Sequence, residues 1–466
     1  GVKFGWIEGV YIRCLQNIIG VILFIRISWV AAQCGILVGS LLICVASAVT
    51  LITTLSLSAI CTNGEVKGGG LYYLISRTLG PEFGGSIGIM FAFGNACSAA
   101  LYVIGMGETI VEVLKNYGIM IIDGGINDIR LIGLALAFLL KGVILIGISF
   151  ESLLQKVMLF PMSISILGFI IGSFLPPSMD KAVKGFTSWH LDTITSNLLP
   201  RFVNGDNFFT VFAVYFPAAT GIMAGANISG DLKNPQEAIP KGTVLAILTS
   251  TIVYIITLFV SGAVFVRHAD GLTPGLPYPT IDCAQNSTCT YGLYNYYQVM
   301  ATVSIWSPLV IIGIIAATSS SALAAMVSAP KILQAVCNDK LFPLIDKLGS
   351  GYGKDNAPRL AYLVTFGITL LGIINNMIGE LNSIAPIISN FFLAAYTLVN
   401  YACFDASFAG NAGFRPAFKY YSMYLSLFGA LICILIMFTM NWVTALITFL
   451  VFFLIFGFLK YRKPGI

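Results

Sequence analysis

Two stretches decide the fold: Gln16-Asn17-Ile18-Ile19-Gly20-Val21-Ile22 and Phe216-Pro217-Ala218-Ala219-Thr220-Gly221-Ile222-Met223-Ala224-Gly225-Ala226-Asn227. Each lies inside an apolar run long enough to cross a bilayer, and each carries residues that interrupt a helix. Pro217 removes a backbone donor and clashes with the turn before it. The glycines weaken the helix and allow close approach. If spans 1–5 and 6–10 are repeats, each interrupted run opens a five-helix half. Interruptions at corresponding positions of two halves point to a transporter binding site. Freed carbonyls suit a cation, and freed N–H groups at a half-helix N-terminus suit an anion. A single kink of this kind more often serves packing; the matched pair favours a site.

The rest of the chain fits a membrane setting. Of 466 residues, 57% are hydrophobic and only 10% charged, with mean hydropathy +0.90. Soluble domains carry roughly 25% charged residues. The composition excludes a soluble enzyme, a nucleic-acid binder and a disordered chain. With about 20 apolar residues needed per spanning helix, twelve spans are predicted: 10–31, 35–60, 84–114, 131–149, 155–176, 207–229, 243–266, 297–329, 360–378, 383–404, 421–440 and 442–460. The expected fold is an all-α polytopic membrane protein with helices 1 and 6 broken. Residues 1–178 and 207–404 form the two halves, and 421–460 form helices 11 and 12.

Charge sets the expected orientation. With a cytoplasmic N-terminus, sixteen Lys and Arg fall in inner segments and six in outer ones. Both termini are therefore expected in the cytoplasm, with further cytoplasmic sequence beyond them. The loop 267–296 is then extracellular. It holds Cys283 and Cys289 flanking the sequon Asn286-Ser287-Thr288, which suits a disulfide and a glycan in an oxidising compartment. Asn227-Ile228-Ser229 is also a sequon, but it lies inside a span and is expected to be unused.

Span 8 supplies Ala317-Thr318-Ser319-Ser320-Ser321, hard oxygen ligands facing the bundle. Such hydroxyls also bond back to their own helix, so alone they leave the matter open. Arg26 and Glu108 lie toward the outer ends of spans 1 and 3, where a salt bridge would close an outer vestibule; the alternative is that each snorkels separately. Lys141 falls near the middle of span 4 without a nameable partner. No repeated pore loop marks a channel, and no HExxH or GxSxG marks an enzyme.

These residues resemble the cation–chloride cotransporters of the amino acid–polyamine–organocation superfamily. The match rests on Gly20–Trp29 (GVILFIRISW), 62–85 (TNGEVKGGGLYYLISRTLGPEFGG), 216–232 (FPAATGIMAGANISGDL), 321–330 (SALAAMVSAP) and 414–421 (FRPAFKYY). It looks most like the sodium–potassium–chloride branch. The resemblance implies a LeuT-like 5+5 inverted repeat and electroneutral symport by alternating access at the plasma membrane, with no cofactor. It also implies a homodimer, and regulatory kinases acting on termini outside this chain. By resemblance, potassium would meet Asn17, Ile18, Tyr102, Pro217 and Thr220. Sodium would meet Gln16, Ile19, Ala317, Ser320 and Ser321. One chloride would meet the N–H groups of Gly20, Val21 and Ile22. The other would meet Gly221, Ile222, Met223 and the Tyr396 hydroxyl. Arg26 and Glu108 would be the outer gate.

Tyr102 is similar to potassium-carrying members, since sodium–chloride members place His there. Ser320 and Ser321 resemble the sodium-coupled branch. One departure stands out: sodium-coupled members resemble Leu-Asn-Ile-Trp-Gly where this chain has Gln16-Asn17-Ile18-Ile19-Gly20, and Gln there is similar to the potassium–chloride branch. The competing expectations are a sodium-independent potassium–chloride symporter and an amino-acid permease on the same fold.

Overall fold

The computed structural model describes residues 3–274, 282–353, 356–375, 381–410 and 412–462. Among these residues the secondary structure is helical, with only isolated bridges such as Phe4 to Leu232. A helix satisfies its backbone internally, as a bilayer demands. The long elements are α1 (half-helices Ile12–Ile18 and Val21–Ile25), α2 (Ile27–Cys61), α3 (Pro81–Asn116), α4 (Ile126–Ile146), α5 (Ile148–Gly172) and α6 (Phe208–Asp231). They continue as α7 (Pro235–Val264), α8 (Ser307–Asn338), α9 (Arg359–Ile374), α10 (Leu381–Phe408), α11 (Met423–Met440) and α12 (Trp442–Arg462). Among the described residues, eleven segments are long and apolar enough to cross a membrane; α9, at 16 residues, is shorter.

Burial sorts these helices. The most apolar windows of α1, α3, α6 and α8 are 78–83% buried, against 28–33% for α4, α5, α11 and α12. A helix buried on all sides belongs to a bundle core. The outer helices instead offer rows of exposed Leu, Ile and Phe, such as Phe160, Leu167 and Leu431, to an apolar surrounding. α3 packs along α8, α2 along α7, and α10 along α11.

The two interruptions differ. α1 breaks at Ile19 (φ −82°, ψ 81°) and Gly20 (φ −118°, ψ −150°), before the helix resumes at Val21. α6 does not open. From Phe216 to Met223 it tightens into 3₁₀ turns, and a second 3₁₀ run covers Ala226–Asp231. Both predicted stretches depart from α-helix, α1 by opening and α6 by ending its α-helix at Tyr215 and passing into 3₁₀ turns; Pro217 sits at the start of the 3₁₀ run, where its missing N–H costs little.

Other bounds move too. A kink at Gly35 (φ 71°) divides α2, so its first turns prolong the first pass. A Cβ at Gly35 would stand 2.6 Å from the Leu199 backbone carbon and oxygen, so both conformation and space require glycine. The turn between α4 and α5 is at Gly147, not at 150–154, which puts Glu151 and Gln155 inside α5. Span 8 begins at Ser307 rather than 297; the short helix Val299–Val303 precedes it, and Pro308 lies in its first turn. Residues 376–378 of the ninth predicted span lie outside the described residues.

Candidate ion-binding site

The α1 break is wedged between α6 and α8. A Cβ on Gly20 would stand 3.1 Å from the Ser321 hydroxyl, and one on Gly221 would stand 2.9 Å from the Asn17 backbone carbon. Both glycines let the interrupted backbone approach its neighbours. Asn17, Tyr102 and Thr220 line one small cavity there, joined by Ser98 and Asn227. Among the described residues, the side-chain oxygens of Asn17 and Asn227 are buried with no hydrogen-bond partner. A buried polar atom without a partner is costly, so the cavity suits a polar or charged guest. Asn227 was passed over in the sequence as an idle sequon. Its signal was a carboxamide within an apolar span, facing the bundle.

Two of the other potassium-site carbonyls are already engaged. The Tyr254 hydroxyl donates to the Ile18 carbonyl at 2.6 Å, and the Thr220 hydroxyl donates to the Pro217 carbonyl at 2.6 Å. Nothing in the sequence singled out Tyr254.

The residues expected around sodium also converge. The Ser321 hydroxyl donates to the Gln16 carbonyl at 3.2 Å, and the Ser320 hydroxyl meets the Gln16 side-chain oxygen. Ala317, one turn before Ser320 and Ser321 on α8, and Ile19 at the α1 break are both buried. Gln155 of α5 joins them: the Ser320 hydroxyl also meets its side-chain oxygen, and its Nε2 donates to the Ser320 carbonyl at 3.0 Å. The same Nε2 donates to Glu151 Oε1 at 2.9 Å, and Glu151 forms a buried two-point salt bridge with Arg13. Sequence reasoning missed this pair. The signal was two opposite charges at the edges of apolar runs, obscured because 150–154 read as a turn.

The groups expected around chloride lie in two environments. Gly20 donates to the Ile18 carbonyl at 3.0 Å, while Val21 and Ile22 open a half-helix whose first N–H groups have no intrahelical carbonyl. Gly221, Ile222 and Met223 lie in the 3₁₀ run, where N–H groups turn back to carbonyls three residues earlier. The Tyr396 hydroxyl donates to the Thr220 carbonyl beside them.

At one end of the molecule Arg26 is buried, its guanidinium carbon 3.9 Å above the Tyr297 ring; Glu108 is half-buried on α3. At the other end a cavity of about 780 Å³ opens among Lys3, Lys67, Arg77, Asp231, Lys331 and Asp339. Lys331 pairs with Asp231 at 3.3 Å. Asn227 belongs to the walls of both this cavity and the small one at the α1 break. The basic residues gathered there are ones that the charge bias assigned to a single side.

Two further residues find their surroundings. Lys141 lies in the last turns of α4, not its middle; its Nζ donates to the Tyr362 carbonyl at 3.1 Å and sits 4.3 Å over that ring. Cys283 and Cys289 form a disulfide, with Asn286 exposed between them.

The α1 break thus borders a small buried cavity lined in part by uncharged oxygens of Asn17, Tyr102 and Thr220. In comparison with known proteins, the amino acid permease family model matches residues 9–466. The chain belongs to the amino acid permease family. Among curated proteins, the chain is similar to human solute carrier family 12 member 2, with 51% identity over 91% of the chain and 36% of the relative. Human solute carrier family 12 member 1 is 48% identical over 91% of the chain and 39% of the relative. Mouse solute carrier family 12 member 3 is 48% identical over 90% of the chain and 43% of the relative. The resemblance to the cation–chloride cotransporters, which are this solute carrier family, is borne out. The chain spans about two-fifths of the length of these relatives.

Proposed function

We propose that the protein is a secondary active symporter that carries Na⁺, K⁺ and Cl⁻ together by alternating access, and not an enzyme. One observation carries this reading: Asn17, Tyr102 and Thr220 face one small buried cavity, while Gln16, Ser320 and Ser321 meet across the same α1 break. Hard oxygen donors without a fixed charge suit alkali cations. In this reading the potassium ligands are Asn17, Ile18, Tyr102, Pro217 and Thr220, and the sodium ligands are Gln16, Ile19, Ala317, Ser320 and Ser321. Gly20, Val21 and Ile22 would hold one chloride and Gly221, Ile222, Met223 and Tyr396 the other, with the Gly20 N–H, the 3₁₀ N–H groups and the Tyr396 hydroxyl exchanging their carbonyl partners for the anion. Cation and anion side by side reduce each other's cost in a low-dielectric site. Coupling follows when the fully loaded and the empty carrier reorient readily and partly loaded ones do not. One Na⁺, one K⁺ and two Cl⁻ would make the cycle electroneutral.

The relation to solute carrier family 12 supports this reading. The bulk of Tyr102 and Tyr396 beside the break speaks against an amino-acid cargo. Helices 1, 2, 6 and 7 would rock as a bundle against a scaffold around the site, in a twelve-span, LeuT-like fold whose halves 1–178 and 207–404 are inverted repeats. The Arg26 end, gated with Glu108, would face outward, and the 780 Å³ cavity would face the cytoplasm with both termini. In this arrangement the Asn286 loop is extracellular and glycosylated, the carrier is a plasma-membrane homodimer, and kinases act on sequence beyond this chain. A second reading, potassium–chloride symport without sodium, rests on Gln16 itself, the residue by which Gln16-Asn17-Ile18-Ile19-Gly20 departs from the sodium-coupled pattern. The test is uptake of labelled rubidium by cells expressing the full-length protein, with sodium and chloride removed in turn. Uptake that needs both supports the three-ion reading. Uptake that needs chloride alone supports the second. Chloride-independent uptake defeats both.

A further inference from the structure

Around Ser320 the hydrogens do not balance the oxygens. Gln155 Nε2 donates to the Glu151 carboxylate and the Ser320 carbonyl, and Gln16 Nε2 donates to the Gln155 carbonyl at 2.5 Å. These acceptors fix which end of each carboxamide is nitrogen, since a carbonyl or carboxylate cannot face an amide oxygen without repulsion. Both amide oxygens therefore turn to the Ser320 hydroxyl. Among the described residues no other N–H or O–H reaches either oxygen. Ser320 has one proton for two acceptors. Gln16, Gln155 and Ser320 are each no more than 1% exposed, so bulk water does not make up the difference. Three buried oxygens with one hydrogen among them form an electron-rich cluster, and a small alkali cation is a guest that matches it.

We infer that the side-chain oxygens of Gln16 and Gln155, with the Ser320 hydroxyl, form a sodium site in this chain. The inference rests on the symport reading above and deepens it. It adds Gln155 of α5 to the site and changes what Gln16 contributes, from a backbone carbonyl to a side-chain oxygen. The Arg13–Glu151 pair has a part in this design. Glu151 accepts from Gln155 Nε2 and so keeps the amide oxygen turned inward, while Arg13 compensates the carboxylate, leaving the site itself uncharged. A neutral cage binds a monovalent cation weakly enough to release it in each cycle.

The experiment compares the parent with Gln155→Met in the full-length protein, measuring chloride-dependent rubidium uptake against sodium concentration. Methionine keeps the volume and removes the carboxamide, both the oxygen and the Nε2 that donates to Glu151 and the Ser320 carbonyl. The expected result is a rise of about tenfold or more in the sodium concentration for half-maximal uptake, on the scale of one lost hydrogen-bonding ligand. The rubidium half-saturation at high sodium stays unchanged. A parent carrier that needs chloride but not sodium, or a variant with the parent's sodium curve, overturns the inference and leaves cation–chloride symport standing. Absence of any chloride-dependent uptake in the parent overturns the underlying reading instead. Should Gln155→Met fail to reach the cell surface, the purified parent gives the answer. Sodium, but not choline, should raise its melting temperature in chloride-free buffer; equal melting in both overturns the inference.

Discussion

At the scale of single residues, the Tyr102 hydroxyl is the atom that separates a potassium ligand from a plain wall of the cavity. Tyr102→Phe keeps the ring and its packing. It is expected to raise the rubidium concentration for half-maximal uptake about tenfold, the size of one lost oxygen ligand, with surface expression unchanged. Uptake curves on parent and variant check this. The Arg13–Glu151 pair makes a stability prediction. Removing Arg13 leaves a carboxylate buried without its counter-charge, at a cost of about 3–5 kcal/mol. Arg13→Met should therefore melt well below the parent in detergent, and the double variant Arg13→Met/Glu151→Met should recover much of the loss. Equal melting of single and double variants would count against the pair's role.

His268, in the segment after α7, carries a pH dependence. Burial holds its pKa below the usual imidazole value, and the charges of Arg201 and Arg267 push in the same direction. The fold keeps the ring neutral against Tyr294, with ring centroids 4.9 Å apart. The unfolded chain takes up a proton near pH 6.5, where the folded ring does not. The stability from the neutral ring is thus whole above that value and is lost as pH falls through it toward the folded pKa. Melting temperatures at neutral and mildly acid pH should diverge for the parent, and less so for His268→Gln.

At the scale of elements, the kink at Gly35 gives the sharpest test. Its φ of 71° and the Leu199 backbone 2.6 Å from any added Cβ both refuse a side chain. Gly118 has a similar φ of 73° with nothing within 4 Å. Gly118→Ala should cost only the conformational term of about 1 kcal/mol, while Gly35→Ala should cost clearly more. Thermal unfolding of the two variants separates space from dihedral. The break in α1 was legible because an Asn and a Gly interrupt a Leu/Ile run, and the boundary at 31–35 between the first two spans anticipates the Gly35 kink. The 3₁₀ character of α6 was not legible. Proline and glycine announce an irregularity, but whether the backbone opens or tightens depends on what packs against it. Here the Asn17 backbone presses on Gly221. The α4–α5 turn was misread for a related reason: Gly147 makes it in one residue, and no polar loop advertises it.

At the scale of the whole molecule, composition alone gave the membrane class, and the spacing of apolar runs gave nearly all of the long helices. The gathering of Asn17, Tyr102 and Thr220 was legible through resemblance, because they lie far apart in sequence and only the fold brings them to one cavity. The contributions of Gln155, Asn227 and Tyr254 were not. A single polar residue in an apolar helix does not say which neighbour it will meet. The molecule as a whole sets a cavity on one side of the candidate site and the buried Arg26–Tyr297 contact toward the other, the asymmetry that the proposed alternating access calls for. The central claim is that cation and anion move together through this site. The most direct measurement is rubidium accumulation in proteoliposomes under an inward chloride gradient, with membrane potential clamped at zero by an ionophore and sodium present on both sides. The account predicts accumulation above the outside concentration that collapses when the chloride gradient is removed. Rubidium that only equilibrates, whatever the chloride gradient, would contradict it.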